Sequence, residues 1–167
     1  MPRWIYKQNR IELLPDSKML VYMDERKAPF MIDESDFECV SYYTWHKGPH
    51  SRYVKTHLKI NGAYRDIALH RFLFGDAPEG LMWDHINRNT LDNTRTNLRV
   101  VTSSINNRNR GMHADNTSGF KGVCKHRNHW RADISYDGIR FHLGTFDTIE
   151  EAVEARKAAE KEMWSDA

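Results

Sequence analysis

Residues 84–106 contain side chains whose types and spacing suit one chemical task. Asp84 and His85 are adjacent at the end of an apolar run, and Asn97 and Asn106 follow 13 and 22 residues after Asp84. Carboxylate and amide oxygens are good ligands for a hard divalent cation such as Mg²⁺, and an imidazole can take a proton from water near neutral pH. Each of these residues alone also fits a turn or a packing role. Together they predict a metal site beside a proton acceptor.

The surrounding pattern predicts how these side chains are positioned. Leu81–His85 has the composition of a short strand, and Leu98–Val101 forms a second one after a turn rich in asparagine. A helix capped by Thr102 should follow. If that helix packs back on the hairpin, the amide oxygen of Asn106 can face Asp84, and Arg110 lies one turn later on the same face, where it can bind a phosphate.

The ordered set Asp84, His85, Asn97 and Asn106, with Asn97-Leu98-Arg99 leading into the second strand, resembles the HNH nucleases of the phage and intron homing type. The resemblance implies a ββα-metal fold and double-stranded DNA as the substrate. It also implies that Asp84 and Asn106 bind one divalent metal ion, Mg²⁺ or alternatively Mn²⁺. By the same resemblance His85 is the general base, and Asn97 orients its ring.

Composition limits the class of protein. With 167 residues and a mean hydropathy of −0.76, the chain predicts one medium domain or two small ones, with no membrane span and no signal peptide. Cys39 and Cys124 lack metal-ligand spacing, so we expect reduced thiols in a cytoplasmic protein that is not secreted. The net charge is only +2, but residues 93–131 hold eight basic side chains against one acidic one. This segregation favours a surface that binds a polyanion.

The segment before the hairpin is predicted to be rich in β-strands. Asn61-Gly62 between two alternating runs predicts a hairpin, Ser35–Glu38 predicts a capping box, and Leu69–Phe74 predicts a short helix that ends at Gly75. His70 is expected to be a structural hydrogen-bonding residue or, alternatively, a group near the scissile phosphate. Arg71 is a candidate phosphate contact.

The C-terminal part predicts a small antiparallel sheet with one helix. Phe120–Cys124, Trp130–Tyr136 and Ile139–Phe146 alternate as strands, and Asp137-Gly138 predicts a tight turn between the last two. Residues 148–151 have the form of a capping box before a helix that runs to about Trp164. Ile139, Phe141 and Leu143 should face this helix, and the polar side chains of the strands should face outward.

This tail resembles the AP2 DNA-binding domain through Gly122-Val123, residues 130–134, residues 143–146 and the alanine-rich helix. The resemblance implies that the sheet binds the DNA major groove. The alternative is a module that binds protein. The candidate DNA-binding residues of the whole chain are Arg71, Arg108, Arg110, Lys121, Lys125, His126, Arg127, Arg131, Asp133, Arg140 and His142.

The sequence therefore predicts an α+β protein in three parts. Residues 1–110 should form an HNH nuclease domain with a β-rich beginning, residues 111–118 a linker, and residues 119–167 an AP2-like DNA-binding domain. The expected function is a metal-dependent DNA endonuclease that acts as a monomer and requires no protein partner. The alternative is a sequence-specific DNA-binding regulator whose nuclease head is inactive.

Overall fold

A computed structural model describes residues 10–23 and 28–164. The chain is a mixed α+β protein with several small antiparallel sheets and four helices among these residues. It divides into two compact units, residues 1–109 and 110–167. None of the helices in the described part is long and apolar enough to cross a membrane.

The described part of the first unit begins with a three-stranded antiparallel sheet. Its strands are β1 (Ile11–Leu14), β2 (Lys18–Val21) and β3 (Phe30–Asp33), in that order. Helix α1 (Phe37–Ser41) follows a 3-10 turn. The predicted capping box at Ser35–Glu38 is wrong, because neither helix start has a side-chain cap and α1 begins two residues after Ser35. The buried core of this unit consists of Met19, Val21, Phe30, Ile32, Val40, Trp45, Val54 and Leu69.

The predicted hairpin and short helix lie next along the chain. Strands β4 (Lys55–Ile60) and β5 (Ala63–Ala68) pair in register around Asn61 and Gly62, whose φ values of 50° and 83° are those of a tight turn. Helix α2 (Leu69–Phe74) begins directly after β5 and ends at Gly75, where a φ of 78° favours glycine. Both predictions are confirmed. The register of the hairpin and the length of α2 follow from these local turn signals.

The segment that carries the candidate site is a two-stranded hairpin followed by a helix. Strand β6 (Leu81–His85) pairs antiparallel with β7 (Leu98–Thr102), and α3 (Ser103–Asn109) follows at once. The Thr102 hydroxyl accepts a hydrogen bond from the amide of Ile105, as predicted for a cap. Arg95, in the turn before β7, donates to both carboxylate oxygens of Asp36 at 2.6 and 2.7 Å and so anchors the hairpin to the 3-10 turn that follows β3.

The second unit is a three-stranded antiparallel sheet with one helix. Its strands are β8 (Val123–His126), β9 (His129–Tyr136) and β10 (Ile139–Phe146), with β9 in the middle. Helix α4 (Ile149–Met163) starts with a complete capping box between Thr148 and Glu151, as predicted. Val123 and Ala132 of the sheet pack against Ala152 and Val153 of the helix.

Two details of this unit differ from the prediction. The first strand begins at Val123, because the hydroxyl of Ser118 bonds the backbone of Phe120 and Val123 and holds the preceding residues in a turn. Ser118 is therefore part of the folded unit rather than of a linker. Ile139 and Phe141 are exposed, since the apolar cluster under α4 takes Leu143 and Phe146 from β10 but neither of these two.

Candidate functional site

Asp84 is buried on β6 and both of its carboxylate oxygens accept hydrogen bonds. Arg99, its cross-strand partner on β7, donates from Nε at 3.0 Å and lies 2.9 Å from Oδ2 through a second guanidinium nitrogen. Asn109, at the end of α3, donates from Nδ2 to Oδ1 at 2.8 Å and to Oδ2 at 3.0 Å. A buried carboxylate needs such partners to remain ionised. The site therefore presents one carboxylate whose orientation is fixed from two sides.

His85 is equally buried but has different side-chain neighbours. Its Nε2 lies 3.4 Å from Oδ1 of Asn93, and its ring packs against Tyr53 and His70 at centroid distances of 5.9 and 5.4 Å. Burial lowers the pKa of His85, while the bond with Asn93 and the charge of Asp84 partly oppose that shift. The ring is consequently neutral at physiological pH and can accept a proton.

The side chain of Asn97 makes hydrogen bonds to the turn and does not contact the ring of His85. Its Nδ2 donates to the carbonyl of Asp92 at 2.8 Å, and its Oδ1 accepts from the amide of Asn87 at 2.9 Å. The predicted ring contact belongs to Asn93 instead. The physical reason is position: Asn97 sits in the 3-10 turn that leads into β7, where its amide closes the loop between the two strands. Asn97 therefore fixes the loop that presents Asn93 to His85.

Helix α3 presents two asparagines toward β6. Asn109 contacts Asp84 and also donates to the backbone carbonyl of His85 at 2.8 Å. The predicted ligand Asn106 lies one turn earlier, where its Nδ2 approaches the sulfur of Met82 at 3.1 Å. Among the described residues no hydrogen bond engages Oδ1 of Asn106. The oxygen that a metal ion would need is thus available on Asn106, whereas the amide of Asn109 is used as a donor.

His70 lies in the same aromatic cluster but not where a hydrogen-bonding residue was expected. Its side chain is buried, and its Nδ1 has no hydrogen-bond partner in the described part of the chain. Burial first, and then the neighbouring His85 and Arg71, lower its pKa to about 4. His70 is therefore a neutral aromatic neighbour of the candidate base.

In the second unit, polar groups of β9 and β10 gather around one carboxylate on the sheet face. Asp133 is buried, and it accepts hydrogen bonds from Arg131 at 3.0 Å and from Arg140 at 2.7 Å, while Nδ1 of His142 lies 3.2 Å away. Desolvation would raise the pKa of Asp133, but these three partners outweigh it and the net pKa is lowered. Asp133 is one of the predicted DNA contacts, but both of its oxygens are engaged by these three side chains. Asp133 therefore orients three partly exposed side chains by binding all of them.

The remaining candidate DNA-binding residues are mostly at the surface. Arg71 is exposed and pairs with Asp76 through Nε at 2.6 Å. Arg108 is half-buried on α3, and Nζ of Lys121 donates to the backbone carbonyl of Arg110 at 3.0 Å. Three further side chains lie exposed in or just after β8: Lys125, His126 and Arg127.

The donor types offered by Asp84 and Asn106 are those that a divalent metal ion prefers. A carboxylate and the unengaged Oδ1 of Asn106 are both oxygen donors, and Mg²⁺ prefers oxygen and keeps several water ligands of its own. The Arg99 cation competes with an ion for Asp84. The residues that could hold the ion are therefore Asp84 and Asn106, with His85 beside them.

Comparison with known proteins gives a family match over the segment that carries the candidate site. Residues 69–108 match the family model described as HNH endonuclease. This HNH segment runs from the start of α2 to one residue before the end of α3 and includes every residue of the candidate site except Tyr53 and Asn109. The match suggests nuclease activity, and nucleases of this family usually use a divalent metal ion.

Two curated proteins are similar to the chain over longer stretches. An uncharacterised HNH endonuclease of Acanthamoeba polyphaga mimivirus is 29% identical over 133 residues, which cover 76% of this chain and 66% of the relative. Protein 3.8 of Escherichia phage T7 is 33% identical over 78 residues, or 46% of this chain and 64% of the relative. The chain thus spans slightly less than two thirds of the length of these relatives. No solved structure matches it.

Four residues of the site were not singled out from the sequence. Asn93 contacts the His85 ring, Arg99 and Asn109 bind Asp84, and Tyr53 stacks on His85. Asn109 follows Asn106 by three positions, so helical spacing could have placed it on the same face. The other three depend on the hairpin register or on a loop distant in sequence, and no local pattern reveals them.

Proposed function

We propose that this chain is a metal-dependent DNA endonuclease that hydrolyses phosphodiester bonds at a site built on Asp84 and His85. The observation that supports this most is the burial of a carboxylate and a neutral imidazole side by side at the end of β6, with Asn109 of α3 bonded to the carboxylate. The HNH match over the same residues agrees with it. Within this activity we propose the homing type that phage and intron HNH proteins represent.

Asp84 and Asn106 are the proposed ligands of the ion, with Mg²⁺ the first choice and Mn²⁺ an alternative. When bound, the ion would neutralise charge that develops on the scissile phosphate and the leaving oxygen. Asn109 keeps Asp84 in position from the helix side. Arg99 is close enough to Asp84 to bind a phosphate oxygen if the ion takes its place on the carboxylate.

His85 is the proposed general base. A neutral ring whose Nε2–H is donated to Asn93 leaves the lone pair of Nδ1 to take a proton from the attacking water. Tyr53 and His70 pack on the ring and exclude water from its other sides. General bases of this kind contribute a factor of roughly 10²–10⁴ in rate. The expected products carry a 5′ phosphate and a 3′ hydroxyl.

The second unit is proposed to bind double-stranded DNA through its sheet in the manner of an AP2 domain. Arg131, Arg140 and His142 project from one face, where they can reach phosphates or base edges. Asp133 acts by holding them and does not itself touch the DNA. The exposed cations around β8 and those of the nuclease segment would add phosphate contacts that position the protein.

The alternative is a DNA-binding regulator whose nuclease domain is inactive. One observation favours it: Arg99 and Asn109 already occupy both oxygens of Asp84, as a purely structural ion pair would. The two functions differ in what an added metal ion does. A nuclease needs the ion for cutting, whereas a regulator binds DNA without it.

The test uses supercoiled plasmid that carries candidate target DNA, with Mg²⁺ or with a chelator. We expect metal-dependent conversion to open circle by the native protein, and a fall of roughly 10²-fold or more for His85→Ala. His50→Ala, at an exposed histidine of the same unit, is the matched control and should cut normally. A gel-shift assay should show that His85→Ala still binds the DNA.

Two results would count against the proposal. Cutting by His85→Ala at the native rate would remove the assigned base. DNA binding by both proteins with no cutting of any plasmid or phage DNA would favour the regulator.

A further inference from the structure

A second group of possible metal ligands lies outside the candidate nuclease site. His57 on β4 faces Asp66 on β5, because the two are direct cross-strand partners. His46 joins them through an antiparallel bridge to Lys55, at the start of β4. Three chain segments therefore bring two imidazoles and one carboxylate to the same face of the hairpin.

The ligand atoms are close enough to share one ion. Nδ1 of His57 lies 2.6 Å from Oδ1 of Asp66, and the His46 and His57 rings stack at 4.5 Å with an angle of 22° between their planes. One nitrogen or oxygen of each residue lies within 4.8 Å of those of the other two. Ligands about 2.0–2.1 Å from a tetrahedral Zn²⁺ stand about 3.3 Å apart, so small rotations of exposed side chains would suffice.

The donor types select the class of metal. Imidazole suits Zn²⁺ and other late transition metals, whereas Mg²⁺ prefers oxygen ligands and keeps its water. Two histidines with one carboxylate are a known ligand set for Zn²⁺ with a fourth position left to water. His57 and Asp66 have side-chain exposures of 62% and 44%, so an ion from solution can reach them and that fourth position can stay open.

We propose that His46, His57 and Asp66 form a binding site for Zn²⁺ or a similar transition-metal ion that ties the β4–β5 hairpin to the segment before it. This site is independent of the proposed nuclease function, because it shares no residue with the Asp84 site. Its role is to fix the hairpin. Unfolded chains lack the preformed cluster, so bound Zn²⁺ should also raise the thermal stability of the first unit.

Lys55 provides a further test, in which a substitution is expected to strengthen metal binding rather than weaken it. Its ammonium lies 3.8 Å from Oδ2 of Asp66 and competes with a metal ion for the carboxylate. Removing that charge should strengthen binding at the cluster. Lys55→Met keeps most of the side-chain volume and removes the charge.

The experiment is isothermal titration of the full chain with Zn²⁺, with Mg²⁺ in excess to occupy the oxygen-rich site at Asp84. We expect one ion per chain, and a dissociation constant at least about tenfold higher for His57→Ala and for Asp66→Asn. His50→Ala is the matched histidine control, and Asp84→Asn controls for the candidate nuclease site. Neither should change the affinity. Co²⁺ in place of Zn²⁺ should give the visible absorption of tetrahedral coordination.

The outcomes distinguish Zn²⁺ binding at this cluster from Zn²⁺ binding at the Asp84 site. Absence of Zn²⁺ binding, or binding that Asp84→Asn weakens and His57→Ala does not, would overturn the proposal. An Asp66→Asn protein that binds Zn²⁺ as tightly as the native chain would overturn the assignment of Asp66 as a ligand. His57 is exposed, so its replacement leaves the core intact, and an unchanged circular dichroism spectrum would verify this.

Discussion

The burial of His70 should make the first unit sensitive to acid. Its pKa is about 4 in the folded chain and about 6.5 in the unfolded one. Between these values the unfolded state binds more protons, so stability falls as the pH drops from about 6.5 to about 4 and changes no further below that. The groups that face His70 are Tyr53, His85 and Arg71, and none of them is an acid that could compensate a charge on the ring.

The size of the effect follows from the two pKa values. Each pKa unit corresponds to about 1.4 kcal/mol, so His70 alone removes about 2.5 kcal/mol between pH 7.5 and pH 4.5. A domain of this size has a free energy of unfolding of roughly 5–15 kcal/mol, so the loss is a substantial share of it. Part of the acid sensitivity also comes from His85, whose pKa is lowered too. The substitution must therefore isolate His70.

His70→Phe keeps an aromatic ring against Tyr53 and His85 and removes the titrating group. We expect His70→Phe to be at least as stable as the native chain at pH 7.5, because the unpaired buried Nδ1 is gone. At pH 4.5 it should be more stable by about 2.5 kcal/mol. The assay is urea denaturation at the two pH values, followed by amide NMR signals of the first unit.

His50→Phe, at an exposed histidine, is the control and should lose as much stability on acidification as the native chain. If His70→Phe also lost as much, the reasoning from burial would be refuted. A direct NMR titration of the His70 ring in the folded protein should give a midpoint near the pKa of about 4.

Two further predictions concern the two proposed sites. Asn106→Ala should lower nicking and require more Mg²⁺, whereas Asn109→Ala should mainly lower thermal stability, by about 1–2 kcal/mol, because Asp84 loses a donor. Nicking measured as a function of Mg²⁺ concentration, together with thermal melts, distinguishes the two variants. If Asn109→Ala instead raised the Mg²⁺ requirement and Asn106→Ala mainly lowered stability, Asn109 would be the ligand. Asp133→Asn should lower the stability of the second unit by about 2 kcal/mol and weaken DNA binding, because Arg140 loses the carboxylate that orients it. Unchanged binding in a gel-shift assay would contradict a role of Asp133 in positioning these cations.

Much of the fold could be predicted from the sequence because its signals are local. Asn61-Gly62 and Asp137-Gly138 adopt positive φ at both positions and set two hairpins. Gly75 ends α2, and Thr148 with Glu151 starts α4. In each case the turn or the helix end is caused by a few neighbouring residues, so no knowledge of distant contacts was needed. The capping box expected at Ser35 shows the limit of such patterns, since the chain there begins its helix after a 3-10 turn.

What the sequence determined by itself is the set of side chains able to do chemistry: Asp84, His85 and the asparagines that follow them. Their partners were decided only by the tertiary structure. Cross-strand register puts Arg99 on Asp84, and a distant loop brings Tyr53 to His85. Cross-strand register also brings Arg140 and His142 of β10 to Asp133 in the second unit. The reason is physical: burial, pairing and pKa depend on which groups meet in space, and those groups come from parts of the chain that no local pattern connects.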